Sequence, residues 1–192
     1  MSTAVPPDFD PRRFLAGFAA AAHYRGRRNL RLHLGPGSVI LPGWIRVSAE
    51  PGVGDLDLDL RLALPFDDGS VERIYAWRVG EAIGEGLLAF VLEAHRILAP
   101  GGRLRLVDRD RASLEAEVRR LTLQGVLPLD RIRALPPWAA SDVVALLEGV
   151  GFTAVERPAI DESEAPDLAG LESRHGLPEA ERGTWFVVEA IR

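Results

Sequence analysis

Two glycines one residue apart, Gly35 and Gly37, stand in "LHLGPGSVILPGW" (32–44), directly after a short apolar segment. Glycines so placed let the backbone turn tightly and approach a bound ligand. A phosphate-binding P-loop would end in Gly-Lys-Ser/Thr, and no such ending exists here. A dinucleotide fingerprint would carry a third glycine where Ile40 stands, and Ile40 would obstruct close helix–strand packing. A nucleoside without a pyrophosphate suits the loop better. Glu81, an acid following a strand candidate, is the best-placed general base, weighed against a plain surface acid. The chain has no cysteine, which removes disulfides, thiolate nucleophiles and thiolate zinc sites together. His23, His33, His95 and His175 lie far apart in sequence without ligand spacing, so no metal site is expected.

These residues need a scaffold, and 192 residues with 47% hydrophobic and 27% charged side chains supply one ordinary globular domain. The net charge of −5, with arginines scattered and forming no basic stripe, argues against a nucleic-acid partner. No apolar run reaches the roughly 20 residues of a membrane span, and the acids and prolines of "MSTAVPPDFDPRRF" do not make a secretory signal. The cytoplasm is the expected location.

Asp10 and Pro11 mark a helix start, with apolar residues recurring at helical spacing to about Tyr24. Strands are expected at 29–34, 44–49, 55–60, 71–77, 103–108 and 152–158, and in "TWFVVEAI" (184–191). Helices are expected at 85–98 and 111–124, and in a segment N-capped by Ser141 and closed by Gly149 or Gly151. "APGG" (99–102) stops the first of these. Strands separated by helices imply an α/β sheet with mostly parallel pairing. Strands covered on both faces should be continuously apolar, yet "LRLHL", "DLDLDL" and "RLRL" alternate, so one face of the sheet is expected to be thinly covered. The acidic "DESEAPD" (161–167) reads as a surface loop or mobile flap, and 108–120 as a solvated helix face. His33 reads as a core histidine, His95 as structural, and the four tryptophans as core or lid aromatics.

In order, "LHLGPGS", "LPGWIRVSAEP", "DLDLRLALPFDDGSVERIYAWRVGEAI", "VLEAHRILAPGGRLRLVDRD" and "VVALLEGVGFTAVE" resemble the class I S-adenosylmethionine-dependent methyltransferases, in particular the methyltransferase type 11 group. The resemblance covers roughly residues 28–155 and is carried by the order and spacing of the pieces, since no single piece is specific. It implies a Rossmann-like, mostly parallel seven-stranded sheet flanked by helices. It also divides the chain into an N-terminal extension and helix (1–27) and a methyltransferase-like domain (28–192). The implied cofactor is S-adenosyl-L-methionine, with a small-molecule acceptor methylated on oxygen or nitrogen.

By the same resemblance, Gly35 and Gly37 would pass the aminocarboxypropyl end of the cofactor. Asp59 would accept from the adenine amino group, with the Leu60 N–H on the ring. Trp77, Arg78 and Val79 would line the floor below the methyl group, and Asp108 and Arg109 would border the substrate entrance. The sequence departs from the family at three places. Ser48 replaces the acid that holds the ribose hydroxyls, a loss of about 1.5–3 kcal/mol, or roughly ten- to a hundredfold in affinity; Glu50 compensates if the strand end curls inward. His33 replaces an acid or asparagine, and Ala82 a histidine. These departures favour an alternative, a non-catalytic protein of the same fold acting as a binding or scaffolding partner.

Overall fold

The alternation in the strands is the key to the architecture. In β1 (Leu30–Leu34), Leu32 and Leu34 join one hydrophobic cluster while Arg31 and His33 take the opposite side, as period-two geometry requires. The computed structural model describes residues 10–125 and 138–192. Within them, β1, β2 (Ile45–Ser48), β3 (Leu56–Asp57), β4 (Val71–Trp77), β5 (Leu98–Arg109), β6 (Thr153–Glu156) and β7 (Trp185–Ile191) form one seven-stranded sheet of order β3-β2-β1-β4-β5-β7-β6. β1 to β5 pair in parallel, and β7 runs antiparallel to both β5 and β6.

One face is covered by helices. α1 (Pro11–Ala20) is N-capped by Asp10, whose carboxylate accepts from the Arg12 and Arg13 amides, and Pro11 fills its first position. A 3-10 turn, Ala21–Tyr24, continues it and buries Ala21 in the core. α2 (Val79–Ile83) was not legible in the sequence. It precedes α3 (Leu87–Ile97), which drives Leu87, Phe90, Val91, Ala94 and Ile97 into the core. α4 (Arg111–Leu123) is capped by Asp110, and α5 (Ala140–Val150) packs Val143 and Leu147 on the same core. Ser141 does not cap α5 as expected. Ala139 holds the cap position, and its amide donates to the Asp142 carboxylate at 3.0 Å; Gly151 ends the helix with φ 107°. The "DLDLDL" strand is also shorter than expected, pairing only at Leu56 and Asp57, although Leu58 and Leu60 remain buried.

No long helix covers the other face among the described residues. Leu41, Ala165, Leu168 and Leu171 pack there on Tyr75, Val107 and Val187, brought by the loop after β1 and by the segment between β6 and β7, which contains α6 (Leu171–Arg174). Many of the remaining contacts are ionic, and they correct two expectations. Arg31, Arg73 and Arg103 are register partners across β1, β4 and β5, so arginines scattered in sequence form a basic row in space. The acids of 161–172 lie over that row instead of forming a free loop: Asp167 pairs with Arg73 at 3.1 Å and Glu164 with Arg103 at 3.6 Å.

At the centre Arg105, fully buried, donates to both Glu172 oxygens at 2.8 and 2.7 Å, to Glu189, and to the Glu162 carbonyl at 2.8 Å. Burial works against its charge, but the hydrogen bonds and attraction of Glu172 and Glu189 outweigh that and raise its pKa. Burying such a group is tolerable only because every side of it is bonded.

Candidate functional site

In open α/β sheets, ligands bind beyond the carboxyl ends of the strands where strand order reverses. Here the reversal falls between β1 and β4, because β2 and β3 lie on one side of β1, and β4 and β5 on the other. Gly35 and Gly37 follow β1 with φ 68° and 52°, left-handed values that glycine adopts without strain. The Gly35 amide donates to the Val47 carbonyl at 3.0 Å, and a Cβ on Gly35 would collide with the Trp77 carbonyl oxygen at the end of β4. The loop is thus keyed into the reversal point. Gly37 has open space where a Cβ would stand.

The other expected positions share this edge. Ser48 ends β2, buried, and its hydroxyl accepts from the Glu50 amide at 2.9 Å, while Glu50 itself is exposed. The Leu58 amide reaches back to the Ser48 carbonyl at 2.9 Å, bringing the segment after β3 alongside. Asp59 follows, half-buried, with its carboxylate bound by Arg61 at 2.7 Å and by the Arg61 amide at 3.0 Å. Leu60 is buried. A cavity of about 70 Å³, lined among others by Arg13, Phe14, Phe18, Asp59 and Arg61, adjoins them and holds no more than a few waters.

Arg78, exposed, follows β4 in the left-handed region at φ 54°, and its amide donates to the Val107 carbonyl at 2.9 Å. A non-glycine residue in this conformation stores strain, which clusters at functional sites. Val79 is buried and begins α2. Asp108, almost fully buried, accepts from the Gly80 amide at 2.6 Å and the Arg109 amide at 2.9 Å, so β5 is tied to the start of α2. The Glu81 side chain, the candidate base, lies outside what is described.

A second group was not legible in the sequence. His33 and His175, which have no ligand spacing in sequence, approach to 3.2 Å between their Nε2 atoms, although 142 residues apart. One ring donates and the other accepts. Burial, then the charge that His175 takes on in acid and the charge of Arg46, lower the His33 pKa to about 3; burial lowers that of His175 to about 4. Both rings are neutral at neutral pH. His175 stacks on Trp77 at 4.1 Å, and Trp77 stacks on Trp185 at 4.8 Å, a sandwich-like aromatic group at the end of β4. His95 instead packs edge-on to Phe152, away from this edge, as a structural residue. Among the described residues no three His, Asp or Glu side chains gather as a metal site, and no helix is long and apolar enough to cross a membrane.

No family model matches the chain, and no curated protein matches it. Solved structures do. A SAM-dependent methyltransferase from Thermotoga maritima, described as a possible histamine N-methyltransferase, is 17% identical with a TM-score of 0.55, over 94% of this chain and 90% of its own. A SAM-dependent methyltransferase from Archaeoglobus fulgidus is 13% identical with a TM-score of 0.56, over 94% of each chain. Haemonchus contortus phosphoethanolamine N-methyltransferase 2, solved with phosphomonomethylethanolamine and S-adenosylhomocysteine, is 10% identical with a TM-score of 0.53, over 93% of this chain and 52% of its own. The chain has the class I methyltransferase fold.

Proposed function

We propose that this chain is an S-adenosylmethionine-dependent methyltransferase that methylates an oxygen or nitrogen of a small molecule. One observation carries the reading: the left-handed glycine turn after β1 and the left-handed Arg78 after β4 flank the strand-order reversal and are keyed together at Gly35 and Trp77. The backbone at Gly37 is free to approach a ligand from the open side, which fits the aminocarboxypropyl end of the cofactor. Asp59 and the Leu60 amide, on the segment drawn alongside β2, are the contacts for the adenine, and Arg78 and Val79, at the end of β4, lie below the methyl group. When bound, S-adenosylmethionine supplies a sulfonium methyl already activated for in-line transfer. The protein's contribution is then chiefly to position the acceptor and exclude water.

A second reading, a binding or scaffolding protein of the same fold, is favoured by Asp59 being held by Arg61 and by the end of β2 presenting the Ser48 hydroxyl in place of a carboxylate. Equilibrium binding separates the two. Micromolar S-adenosylmethionine affinity, abolished in Asp59→Ala, supports the enzyme. No affinity at millimolar cofactor leaves the scaffold, and binding of NAD in its place removes both.

A further inference from the structure

β6 ends at Glu156, opposite Glu189, while β7 extends back to Trp185 with no β6 partner along that stretch. The chain at 157–160 leaves the sheet there, and an open cleft of about 410 Å³ forms between it and the start of β7. Its walls include Arg157, Pro158 and Ile160 on one side and Trp185 and Val187 on the other, with Arg182 also contributing. The volume is within the range of about 300–1,000 Å³ that small organic ligands occupy.

The charges in this cleft are unequal. Arg182 is already shared by Asp161 at 3.0 Å and Glu179 at 3.4 Å. Arg157 is exposed and makes no hydrogen bond or ion pair with any described residue. One unspent arginine among the apolar and aromatic residues that line the cleft matches one negative charge on an apolar body, and its planar fork matches a carboxylate. A phosphate dianion would leave a charge uncompensated.

The cleft also opens at the functional edge. Trp185 is the register partner of Arg109 at the end of β5, and its ring stacks on Trp77 at 4.8 Å, one residue before Arg78.

We propose that this cleft binds a small monocarboxylate with an apolar body, and that this carboxylate anchors the methyl acceptor. The acceptor role rests on the methyltransferase reading above; the binding itself does not. The test is calorimetric titration of the full chain, without cofactor, with 3-phenylpropionate and its neutral isostere 3-phenylpropanamide. The acid binds saturably and the amide roughly 10–100-fold more weakly, the range expected for losing one charge-assisted hydrogen bond. Arg157→Gln weakens the acid by a similar factor and removes the discrimination, with an unchanged melting temperature because Arg157 makes no hydrogen bond or ion pair with any described residue. Ile160→Glu, which places a carboxylate in the wall, abolishes acid binding. Equal binding of acid and amide, discrimination that survives Arg157→Gln, or no saturable binding of the acid overturns the proposal. A parallel S-adenosylmethionine titration separates the claims. Acid binding without cofactor binding sinks the enzyme reading and leaves the cleft, whereas cofactor binding without acid binding does the reverse.

Discussion

Replacing Arg105 by methionine removes the guanidinium from a site where it is fully buried and bonded to Glu172, Glu189 and the Glu162 carbonyl. Methionine fills much of the volume, so the cost is electrostatic: Glu172, at 0% exposure, loses its counter-charge, and Glu189, at 3%, keeps only Arg103 at 3.6 Å. Breaking a buried pair by removing one partner costs about 3–5 kcal/mol. For a domain of this size that is a fall of roughly 6–20 °C in melting temperature. Urea denaturation followed by tryptophan fluorescence measures it, with an unchanged m-value showing that the unfolded reference is the same. The triple variant Arg105→Met, Glu172→Gln, Glu189→Gln removes the stranded charges and retains acceptors for the Asp161 amide and the Ser163 hydroxyl, which these acids serve at 2.8 and 3.0 Å. It recovers most of the loss. A single variant that costs less than about 1 kcal/mol, or a triple variant no more stable than the single, refutes the reasoning that charge pairing holds this face.

The His33–His175 pair makes the fold acid-sensitive. Both rings charge in the unfolded chain below about pH 6.5 but stay neutral in the fold to about 3 and about 4. Stability is therefore complete above pH 6.5 and falls as pH drops toward 4, by up to about 1.4 kcal/mol per pH unit for each ring. Urea melts from pH 7.5 to 4.5 show this slope, and a His33→Gln, His175→Gln variant has a much shallower one, since among the histidines only His95 is left with a lowered pKa; a flat wild-type profile contradicts it. The two glycines of the loop respond differently to alanine. Gly35→Ala costs more than the 1–2 kcal/mol or so of left-handed strain, because its Cβ strikes the Trp77 carbonyl, whereas Gly37→Ala costs only about that strain; equal losses in thermal melts would rule out the keyed turn. Ser48→Asp restores a carboxylate at the end of β2. Cofactor affinity rises roughly ten- to a hundredfold while the unliganded protein melts lower, since Asp57 is its register partner; calorimetry and melting curves report both, and an unchanged affinity shows that the ribose is not held there.

Much of the sheet was legible because period-two alternation is a local signal. Leu32 and Leu34, or Leu104 and Leu106, announce the helical face, and the arginines between them announce a face that no long helix covers. What balances those arginines was not legible. Arg31, Arg73 and Arg103 become a row only through register across three strands, and their carboxylates arrive from 161–172, a stretch that by composition alone resembles a loop. The same limit hid His33 and His175, which a tertiary fold joins and no spacing rule connects. Ser141 was misjudged because Asp142 can serve the helix start from inside it, accepting from the Ala139 amide. The candidate site was legible as a set of strand ends. That Arg61 holds Asp59 was not, although the two are neighbours, because many side-chain geometries satisfy that spacing.

The central claim is that the strand ends around the β1–β4 reversal are a cofactor site. Hydrogen exchange of the full chain with and without S-adenosylhomocysteine tests it most directly. The account predicts slowed exchange confined to the backbone near Gly35 and Gly37, near Asp59 and Leu60, and from Trp77 to Val79. Unchanged exchange at saturating ligand, or protection elsewhere with these segments unaffected, would contradict it.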